Sequence, residues 1–299
     1  MEHNIAGHAL LETLTHPNEL FPMSEFVDHF DSFSNGGFPS HWHPELEFQL
    51  ILKGSAEYVI NGTSYLVKEG DALYIAPEVI HHAKQTRRGT IGYNIVLSPQ
   101  LLTNVLRAVN CVQYAAKLTS DYSDALLISS DSKHGFRILE RLRKMYYADT
   151  TQNDNELFML ENLLGIWRHL ITLLPHQETS ASTNKILREY RMKAMLAYIH
   201  RNYSEPISVS DLADAANISS TECFRCFSEL SETTPVEYVN QYRLLQASQL
   251  LLDTDQSIAE ICFSTGFGST SYFTKQFKRR YGMTPRAYRV SGIGDRAGV

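Results

Sequence analysis

The first third of the chain alternates short apolar runs with turn residues. Four runs rich in β-branched and aromatic residues predict β-strands: 47–52, 56–60, 64–67 and 72–75. Asn61-Gly62 separates two of these runs, and this dipeptide is a strong signal for a tight hairpin. Short strands at such regular spacing predict a small β-barrel or sandwich between residues 38 and 97.

Beyond residue 99, apolar positions recur every three or four residues, which is the period of an amphipathic helix. Helices are predicted at 132–147 and 155–174. The apolar residues expected to share one side are Phe136, Leu139, Leu142 and Met145 in the first helix, and Leu157, Leu160, Leu164 and Trp167 in the second. We expect this pair to cover the open side of the barrel or a second subunit. The polar stretch 175–184, rich in Ser and Thr, is the predicted linker.

The last third of the chain contains one short pattern twice. The first copy comprises Leu212-Ala213, Asn217-Ile218-Ser219, Phe227, Thr234-Pro235 and Tyr238, and the second Ile261-Cys262, Gly266-Phe267-Gly268, Phe277, Thr284-Pro285 and Tyr288. Each copy predicts a short helix, a tight turn and a second amphipathic helix, which together form a helix-turn-helix. The longer helices are predicted at 186–201, 220–230, 235–252 and 269–281. Ser210 and Ser257 are the expected caps of the two short helices.

Charge is distributed unevenly between the two parts of the chain. The net charge of −6 disfavours a nucleic-acid partner at first sight. Residues 1–184, however, carry 13 Lys and Arg against 21 Asp and Glu, whereas residues 185–299 carry 14 against 12. Six cations of the second part lie within fifteen residues: Lys275, Lys278, Arg279, Arg280, Arg286 and Arg289. Because phosphate binding needs a local basic surface rather than a basic chain, this cluster on a helix-turn-helix favours DNA.

The stretch 257–273, with Phe277-Lys278 and Gly282-Met283-Thr284-Pro285 after it, resembles the signature of the AraC-type bacterial transcription regulators. The resemblance extends over residues 187 to 290, with Cys262 where an Ala is usual. It implies base contacts at Thr221, Arg225, Thr270, Ser271, Thr274 and Lys275. Phe224 is expected either to contact a thymine methyl or to pack at the edge of the domain. Lys278, later in its helix, is expected to contact phosphate.

Candidate ligand-binding residues occur at the start of the predicted barrel. His41, His43 and Glu47 share parity, so in an extended segment their side chains project to one side. His81 or His82 could add a fourth group. The pattern resembles the first cupin motif and the N-terminal arm of many AraC-type regulators. That resemblance implies a barrel that binds a small effector, commonly a sugar, usually without a metal. The predicted effector-binding residues are therefore His41, His43, Glu47 and His81.

Two other functions remain open from the sequence. The same His and Glu residues would suit a metal-dependent cupin enzyme, since imidazole and carboxylate are ligands for divalent transition metals. The barrel could also serve only for dimerisation. The Cys223-x-x-Cys226 pair could be half of a zinc site, but no second Cys or His pair stands at zinc-finger spacing. We therefore expect both cysteines to belong to a helix core.

The sequence thus predicts an α+β protein of two domains. Residues 1–174 form a cupin-like β-barrel with a helical dimerisation segment, 175–184 a linker, and 185–299 an all-α domain with two helix-turn-helix motifs. The expected function is DNA-binding transcription regulation, with activation favoured on family grounds, and no enzymatic activity, catalytic residue, metal or cofactor. The expected partners are double-stranded DNA, a small-molecule effector, a second copy of the chain and RNA polymerase. Four cysteines, no apolar run of about 18 residues and no signal peptide favour the cytoplasm and no membrane.

Overall fold

The computed structural model describes residues 18, 20–33, 36–111, 114, 123–149, 154–174 and 183–296, with side chains at 187–290 in the last range. The chain divides into two compact units. The first comprises Met1–Asp31 and His41–Ser182, and the second comprises Ser32–Ser40 and Thr183–Val299. The sequence did not predict that Ser32–Ser40 would fall in the second unit. None of the described helices combines the length and apolar character needed to cross a bilayer.

The first unit is rich in β-strands. The described strands are β1 (Met23–His29), β2 (Gly37–His41), β3 (Leu46–Lys53), β4 (Ser55–Ile60), β5 (Thr63–Lys68), β6 (Ala72–Ile75), β7 (His81–Gln85), β8 (Ile91–Leu97) and β9 (Ala125–Ile128), and His41 is the residue of β2 that belongs to the first unit. One sheet has the order β1-β8-β3-β6-β9 and the other β2-β7-β4-β5. All four predicted strands are found, each within two residues of its expected bounds.

The predicted hairpin joins β4 and β5. Ile60 pairs with Thr63 at its end, and Asn61 and Gly62 have φ angles of 46° and 80°. Two successive positive φ angles are typical of the turn that matches the right-handed twist of paired strands. The predicted tight hairpin at Asn61-Gly62 is therefore confirmed.

Three helices are described in the first unit: α1 (Pro99–Ala108), α2 (Lys133–Tyr146) and α3 (Asn155–Leu173). Ser132 caps α2 by accepting a hydrogen bond from the backbone N–H of Gly135. One ring of α2, that of Tyr146, lies 5.3 Å from the ring of Tyr93 on β8. The Arg143 guanidinium donates to the backbone oxygen of Gly70, 3.0 Å away. These contacts hold α2 against the sheet that contains β8.

The predicted apolar sides of α2 and α3 were partly wrong. Phe136 is 50% exposed and Leu157 69% exposed, whereas Ile138 and Leu163 are buried. The described buried residues are Gly135, Ile138, Leu139, Leu142 and Met145 in α2, and Met159, Asn162, Leu163, Ile166, Trp167 and Leu170 in α3. Phe136 and Leu157 lie at the edge of the apolar side of their helices, so periodicity alone did not show which apolar residues are covered.

The described residues of the second unit from Thr183 onward are helical. It contains α4 (Thr183–Asn202), α5 (Val209–Ala215), α6 (Ser220–Ser231), α7 (Pro235–Asp253), α8 (Ile258–Ser264), α9 (Thr270–Tyr281) and α10 (Pro285–Arg296). The four predicted long helices are confirmed, as is the Ser257 cap of α8. The cap of α5 is Ser208 and not Ser210, because Ser208 and Asp211 exchange the two hydrogen bonds of a capping box.

Candidate functional site

The two copies of the sequence repeat have the same local structure. Phe227 and Tyr238 pack edge to face with ring centroids 5.6 Å apart, and their counterparts Phe277 and Tyr288 do so at 5.4 Å. Thr234 caps α7, and the hydroxyl of Thr284 accepts a hydrogen bond from the N–H of Ala287 in α10. The repeated residues are therefore mainly structural. In each copy they pack the second helix of the motif against the helix that follows it.

The turns of the two motifs require backbone with positive φ. Asn217 has φ of 52° in the first motif, and Gly266 has φ of 81° in the second. A Cβ atom at Gly266 would lie 2.3 Å from the backbone oxygen of Tyr203 and 2.8 Å from Nε of Arg243. Arg243 itself donates to the backbone oxygen of Tyr203 at 2.7 Å. Glycine is thus needed at 266 for conformation and for space.

Helices α6 and α9 are the second helices of the two motifs. Ser219 caps α6, and Ser269 caps α9. The inward side chains are buried, including Cys223 and Phe227 in α6 and Phe273 in α9. The sequence-predicted DNA contacts all lie on the opposite side as exposed or half-buried residues: Thr221, Phe224 and Arg225 in α6, and Thr270, Ser271, Thr274, Lys275 and Lys278 in α9.

The two exposed surfaces differ in charge. On α6, Glu222 accepts a hydrogen bond from Arg225 at 2.8 Å and another from Arg191 of α4 at 3.1 Å. The hydrogen bond from Arg225 lowers the pKa of Glu222 and outweighs the opposing effect of its burial. On α9, Lys275 and Lys278 form no ion pair within the described part of the chain. The α6 surface therefore carries an oriented arginine, and the α9 surface carries unneutralised cations.

One member of the predicted cation cluster has a structural role. The guanidinium of Arg289 donates to the backbone oxygens of Leu251, at 3.1 Å, and Gln256, at 2.6 Å. These bonds join α10 to the end of α7 and to the segment after it. Tyr272, which the sequence reasoning left out, is 45% exposed near the beginning of α9. Its position beside Ser271 makes it an additional candidate contact.

The cysteines of α6 are core residues, as expected. Cys223 and Cys226 are fully buried and are free thiols. Burial raises the pKa of Cys223 to about 11, so its thiol is protonated at neutral pH. Cys262 is buried in the core of the second motif with Phe267, Phe273 and Phe277.

In the first unit, the four predicted effector-binding residues lie together. His41 ends β2, His43 follows it in a loop, Glu47 is the second residue of β3, and His81 begins β7. Each of the four is at most 3% exposed. We refer to these four residues as the barrel cluster. His82, the alternative candidate, pairs with Val59 on β4 and is only half-buried. Its neighbour His81 therefore supplies the fourth group.

Hydrogen bonds orient the barrel cluster. The Nε2 atoms of His43 and His81 both lie 3.2 Å from the same atom, Oε2 of Glu47. Nδ1 of His43 lies 3.1 Å from the backbone oxygen of Glu45, and Nδ1 of His81 lies 2.8 Å from that of Val79. Burial disfavours the charged form of Glu47, but the hydrogen bonds from the two histidines prevail and hold the pKa of Glu47 well below its ordinary value.

Sequence reasoning missed the partner of the second Glu47 oxygen. Asn94 on β8 donates from Nδ2 to Oε1 of Glu47 at 2.9 Å. Asn94 and Gln49 are opposite each other in the β3–β8 register and are both fully buried. An available signal was the lone Asn in the otherwise apolar strand 91–97, because a buried amide side chain needs hydrogen-bonding partners.

The cluster also has the composition of a metal site. His41, His43 and His81 each offer one ring nitrogen, and these three atoms lie within 4.8 Å of one another. The ring centroids of His41 and His81 are 4.2 Å apart. Imidazole nitrogens together with a carboxylate suit divalent transition metals, whereas a polar small molecule could use the same groups as hydrogen-bonding partners.

Comparisons with known proteins follow this division of the chain. Residues 26–164 match the family described as "AraC-like ligand binding domain", and residues 212–291 match that described as "Helix-turn-helix domain". The chain is 29% identical over 299 residues to YdeC of Bacillus subtilis (strain 168), an uncharacterized HTH-type transcriptional regulator. That alignment covers 97% of this chain and 99% of the relative.

Two further comparisons extend over most of the chain. The HTH-type transcriptional activator RhaS of Enterobacter sp. (strain 638) is 23% identical over 287 residues, which cover 93% of this chain and 97% of the relative. Among solved structures, ToxT from Vibrio cholerae is similar with a TM-score of 0.49 and 13% identity. The match covers 90% of this chain and 98% of that one.

Proposed function

The chain belongs to the family of AraC-type transcription regulators, with a ligand-binding domain followed by a DNA-binding helix-turn-helix domain, and we propose that its DNA contacts are divided between α6 and α9. On α6, Thr221, Phe224 and Arg225 face base edges. On α9, the exposed residues of the first turns face bases, and Lys278 faces phosphate. The difference in charge between the two exposed surfaces supports this division.

We further propose that the barrel cluster binds a small polar effector. The observation that carries this proposal is a set of buried groups able to donate and accept hydrogen bonds, namely the barrel cluster with Asn94 beside it. These groups hydrogen-bond with one another and with backbone carbonyls, and a hydroxyl-rich ligand such as a sugar can exchange hydrogen bonds with the same donors and acceptors. Binding would shift the population of conformations and thereby change promoter occupancy.

The remaining parts of the proposal concern partners. Phe136, Tyr147 and Leu157 are large apolar residues of the α2–α3 region that are at least half exposed. Contiguous exposed apolar residues mark interaction surfaces, so we assign this surface to a homodimer contact. Activation through contact with RNA polymerase, in the cytoplasm, completes the proposed function. The named relatives are regulators, and we propose no catalytic role.

The test begins with selection of an operator from randomised duplexes by the purified full-length protein. The selected duplex is then used to compare the wild-type protein with Thr274→Ala and Lys275→Ala. We expect at least about tenfold weaker binding for each substitution, since a base contact contributes about 1–3 kcal/mol. Arg201→Ala, on α4 and outside both exposed surfaces, serves as the control. Unchanged affinity in all variants would contradict the assignment.

A metabolite panel tests the effector. A ligand that binds only the native state raises the thermal midpoint, by an amount that depends on its concentration. We expect a polar metabolite to raise it in the wild-type protein and in His82→Ala, but not in His43→Ala, and to change operator affinity. If no member of a broad panel has either effect, a barrel that serves only for dimerisation becomes the better explanation.

A further inference from the structure

The side chains of the barrel cluster converge on a common point. Two imidazole nitrogens, Nε2 of His43 and Nε2 of His81, point at one carboxylate oxygen of Glu47 from 3.2 Å each. The third ring, that of His41, lies against His81 at a centroid distance of 4.2 Å. All of these groups are shielded from solvent. Their convergence on a common point distinguishes the cluster from an ordinary chain of hydrogen bonds.

In His43 and His81, the hydrogen bond made by Nδ1 limits the protonation that is possible at Nε2. A backbone carbonyl oxygen only accepts hydrogen bonds, so Nδ1 of His43 and Nδ1 of His81 each carry a proton and donate to Glu45 and Val79. Nε2 of each ring then faces Oε2 of Glu47, either as an N–H group that donates to it or as a lone pair that, together with the carboxylate, is available to a cation. Donation of the outer N–H to a backbone carbonyl is also the usual support of a metal-binding histidine.

We propose that the barrel cluster binds a divalent transition-metal ion through its three imidazoles and the Glu47 carboxylate. The inference deepens the proposed effector site, since it uses the same four side chains. Around such an ion, ligand atoms at about 2.0–2.2 Å from the metal lie about 3–4 Å from one another. The three nitrogens within 4.8 Å of one another need only small side-chain movements to reach that geometry. Asn94, which holds the other Glu47 oxygen, is a positioning residue.

Metal analysis of the full-length protein, purified without a polyhistidine tag, tests this site. We expect about one ion per chain in the wild-type protein and in His82→Ala, the neighbouring histidine outside the cluster. After chelation, added Co²⁺ should give visible absorption bands of a histidine-ligated ion. His81→Ala should bind Co²⁺ at least about 100-fold more weakly, and Asn94→Ala about tenfold or more, as for other residues that orient ligands.

Two results would overturn the inference. One is a wild-type protein that binds Zn²⁺, Mn²⁺, Co²⁺ and Ni²⁺ no more tightly than His81→Ala. The other is identical Co²⁺ spectra in the two proteins. Circular dichroism of each variant shows whether it is folded, and the conservative Glu47→Gln provides a second variant that retains the side-chain volume.

Operator binding separates this inference from the proposed function. If a metabolite alters operator affinity in metal-free protein that also fails to bind Co²⁺, the metal inference fails and the effector proposal stands. If Co²⁺ binds through the barrel cluster but neither metal nor any metabolite alters operator affinity, effector control fails and the metal site stands.

A second, independent observation concerns a groove between α2 and α3 of about 540 Å³. Five cations line it, and we call it the cationic groove: Lys133, Arg137, Arg141, Lys144 and Arg168. They are five of the 13 Lys and Arg in residues 1–184, a part of the chain with 21 Asp and Glu. The acidic residue among the lining residues is Glu140, which pairs with Arg137 and Lys144.

One cation of the groove is held in place by packing. The Arg141 guanidinium lies where a Cβ atom of Gly165 would be, since that atom would come within 2.3 Å of its Cζ and Nε. It also donates to Asn162 at 3.4 Å. Five positive charges in so small a space repel one another, and a multivalent anion would offset that repulsion. We infer that the cationic groove binds a small polyanion that carries phosphate or several carboxylates.

Titration calorimetry with pyrophosphate and with citrate tests the cationic groove. We expect binding in the wild-type protein and in Arg107→Ala, an exposed residue of α1, and at least about tenfold weaker binding in the double variant Arg141→Ala/Arg168→Ala. Equal affinity in all three proteins, or none up to about 10 mM, would overturn the inference. So would a change of oligomeric state in the double variant without any anion binding, since the occupant would then be a second copy of the chain.

Discussion

At the residue scale, the backbone conformation of Gly266 and the packing of the His200 ring contribute to the stability of the DNA-binding unit. Gly266 has a left-handed backbone conformation and lies against the backbone of Tyr203. His200 is half-buried, and its ring is stacked on that of Tyr242 at a centroid distance of 4.4 Å. Nε2 of His200 lies 3.3 Å from the Tyr238 hydroxyl. Gly266 and His200 are both half-buried, and we expect both to affect the stability of this unit.

Gly266→Ala should destabilise the DNA-binding unit. The left-handed conformation costs a residue with a Cβ about 1–2 kcal/mol, and the contact with the Tyr203 oxygen adds to this cost because backbone atoms must move. We expect a lower midpoint in urea denaturation and weaker operator binding. Gly268→Ala is the matched control, because a Cβ there meets nothing within 4 Å. Equal loss of stability in both variants would refute the explanation.

His200 should make stability depend on pH in the acidic range. Burial lowers the pKa of His200 from 6.5 to about 4. Between these values the unfolded chain binds a proton that the native state excludes, so the free energy of unfolding falls as pH decreases through this window. The full difference amounts to at most about 3 kcal/mol. Urea titrations from pH 4 to 7.5 should show a smaller fall for His200→Gln than for the wild-type protein. A variant of the exposed His29 should retain the wild-type slope; a wild-type slope in His200→Gln would contradict the prediction.

At the element scale, the second helices of the two motifs, α6 and α9, differ in the charge of their exposed surfaces. In α6, Arg225 forms an ion pair with the Glu222 carboxylate at 2.7 Å, which favours one orientation of its guanidinium. In α9, the cations near the end of the helix, Lys278 and Arg279, are exposed. An oriented guanidinium favours a defined hydrogen-bonding partner such as a guanine edge, whereas flexible lysines favour phosphate. We therefore expect α6 to contribute discrimination and α9 to contribute affinity.

Arg225→Ala and Lys278→Ala should differ in the kind of binding they lose. Loss of Arg225 should relax specificity at one base pair by about 1–3 kcal/mol, while loss of Lys278 should weaken all duplexes alike. Lys278→Ala should also reduce the slope of log affinity against log salt concentration by about 1. Fluorescence anisotropy with the selected operator and its single-base variants, at several KCl concentrations, measures both effects. The reverse pattern would show that the assignment of the two helices is exchanged.

At the scale of the whole molecule, a ligand-binding unit and a DNA-binding unit have separate cores. The second motif encloses Phe267, Phe273 and Phe277 in one apolar cluster with residues of α7 and α8. The first unit has its own buried interior, in which apolar strands surround the barrel cluster. Regulation in such a chain requires that ligand binding in one unit alter the assembly or the pose of the other. The exposed apolar residues of α2 and α3 are the proposed means of assembly.

Phe136→Glu should weaken self-association. Burying one Phe side chain contributes about 1.5–3 kcal/mol, so the dissociation constant of the dimer should rise at least about tenfold. Sedimentation velocity over a range of concentrations measures this change. Leu66→Glu, at another exposed apolar position on β5, should leave association unchanged. A wild-type protein that is monomeric at all concentrations would exclude the proposed contact.

Features with a short range along the chain were accessible from the sequence. The Asn61-Gly62 hairpin, the Ser257 cap and the bounds of the long helices depend on neighbouring residues, and the structure confirms them. The tandem repeat was equally accessible, because equivalent motifs need the same residues at the same spacing. The family followed from that repeat.

Which sides of these elements are buried depends on distant parts of the chain. Helical period placed Phe136 with Leu139, but in the structure Ile138 is buried and Phe136 is 50% exposed. The charge run suggested that Arg289 would meet phosphate, whereas the end of α7 supplied carbonyl oxygens for it. Periodicity and charge in the sequence describe one side of a helix but not the residues that pack against it. Those residues come from distant parts of the chain, so only the tertiary structure identifies them.

The barrel cluster was predictable in part from local sequence spacing and in part only from tertiary packing. The sequence determined that His41, His43 and Glu47 could project to one side, because their spacing in an extended segment fixes parity. The sequence also selected His81 rather than His82 as the fourth residue, and the structure buries His81 beside them; only the tertiary structure showed that Asn94 holds the second carboxylate oxygen. The physical reason is that strand register, set by pairing between residues far apart in the chain, determines which alternating side chains face the interior.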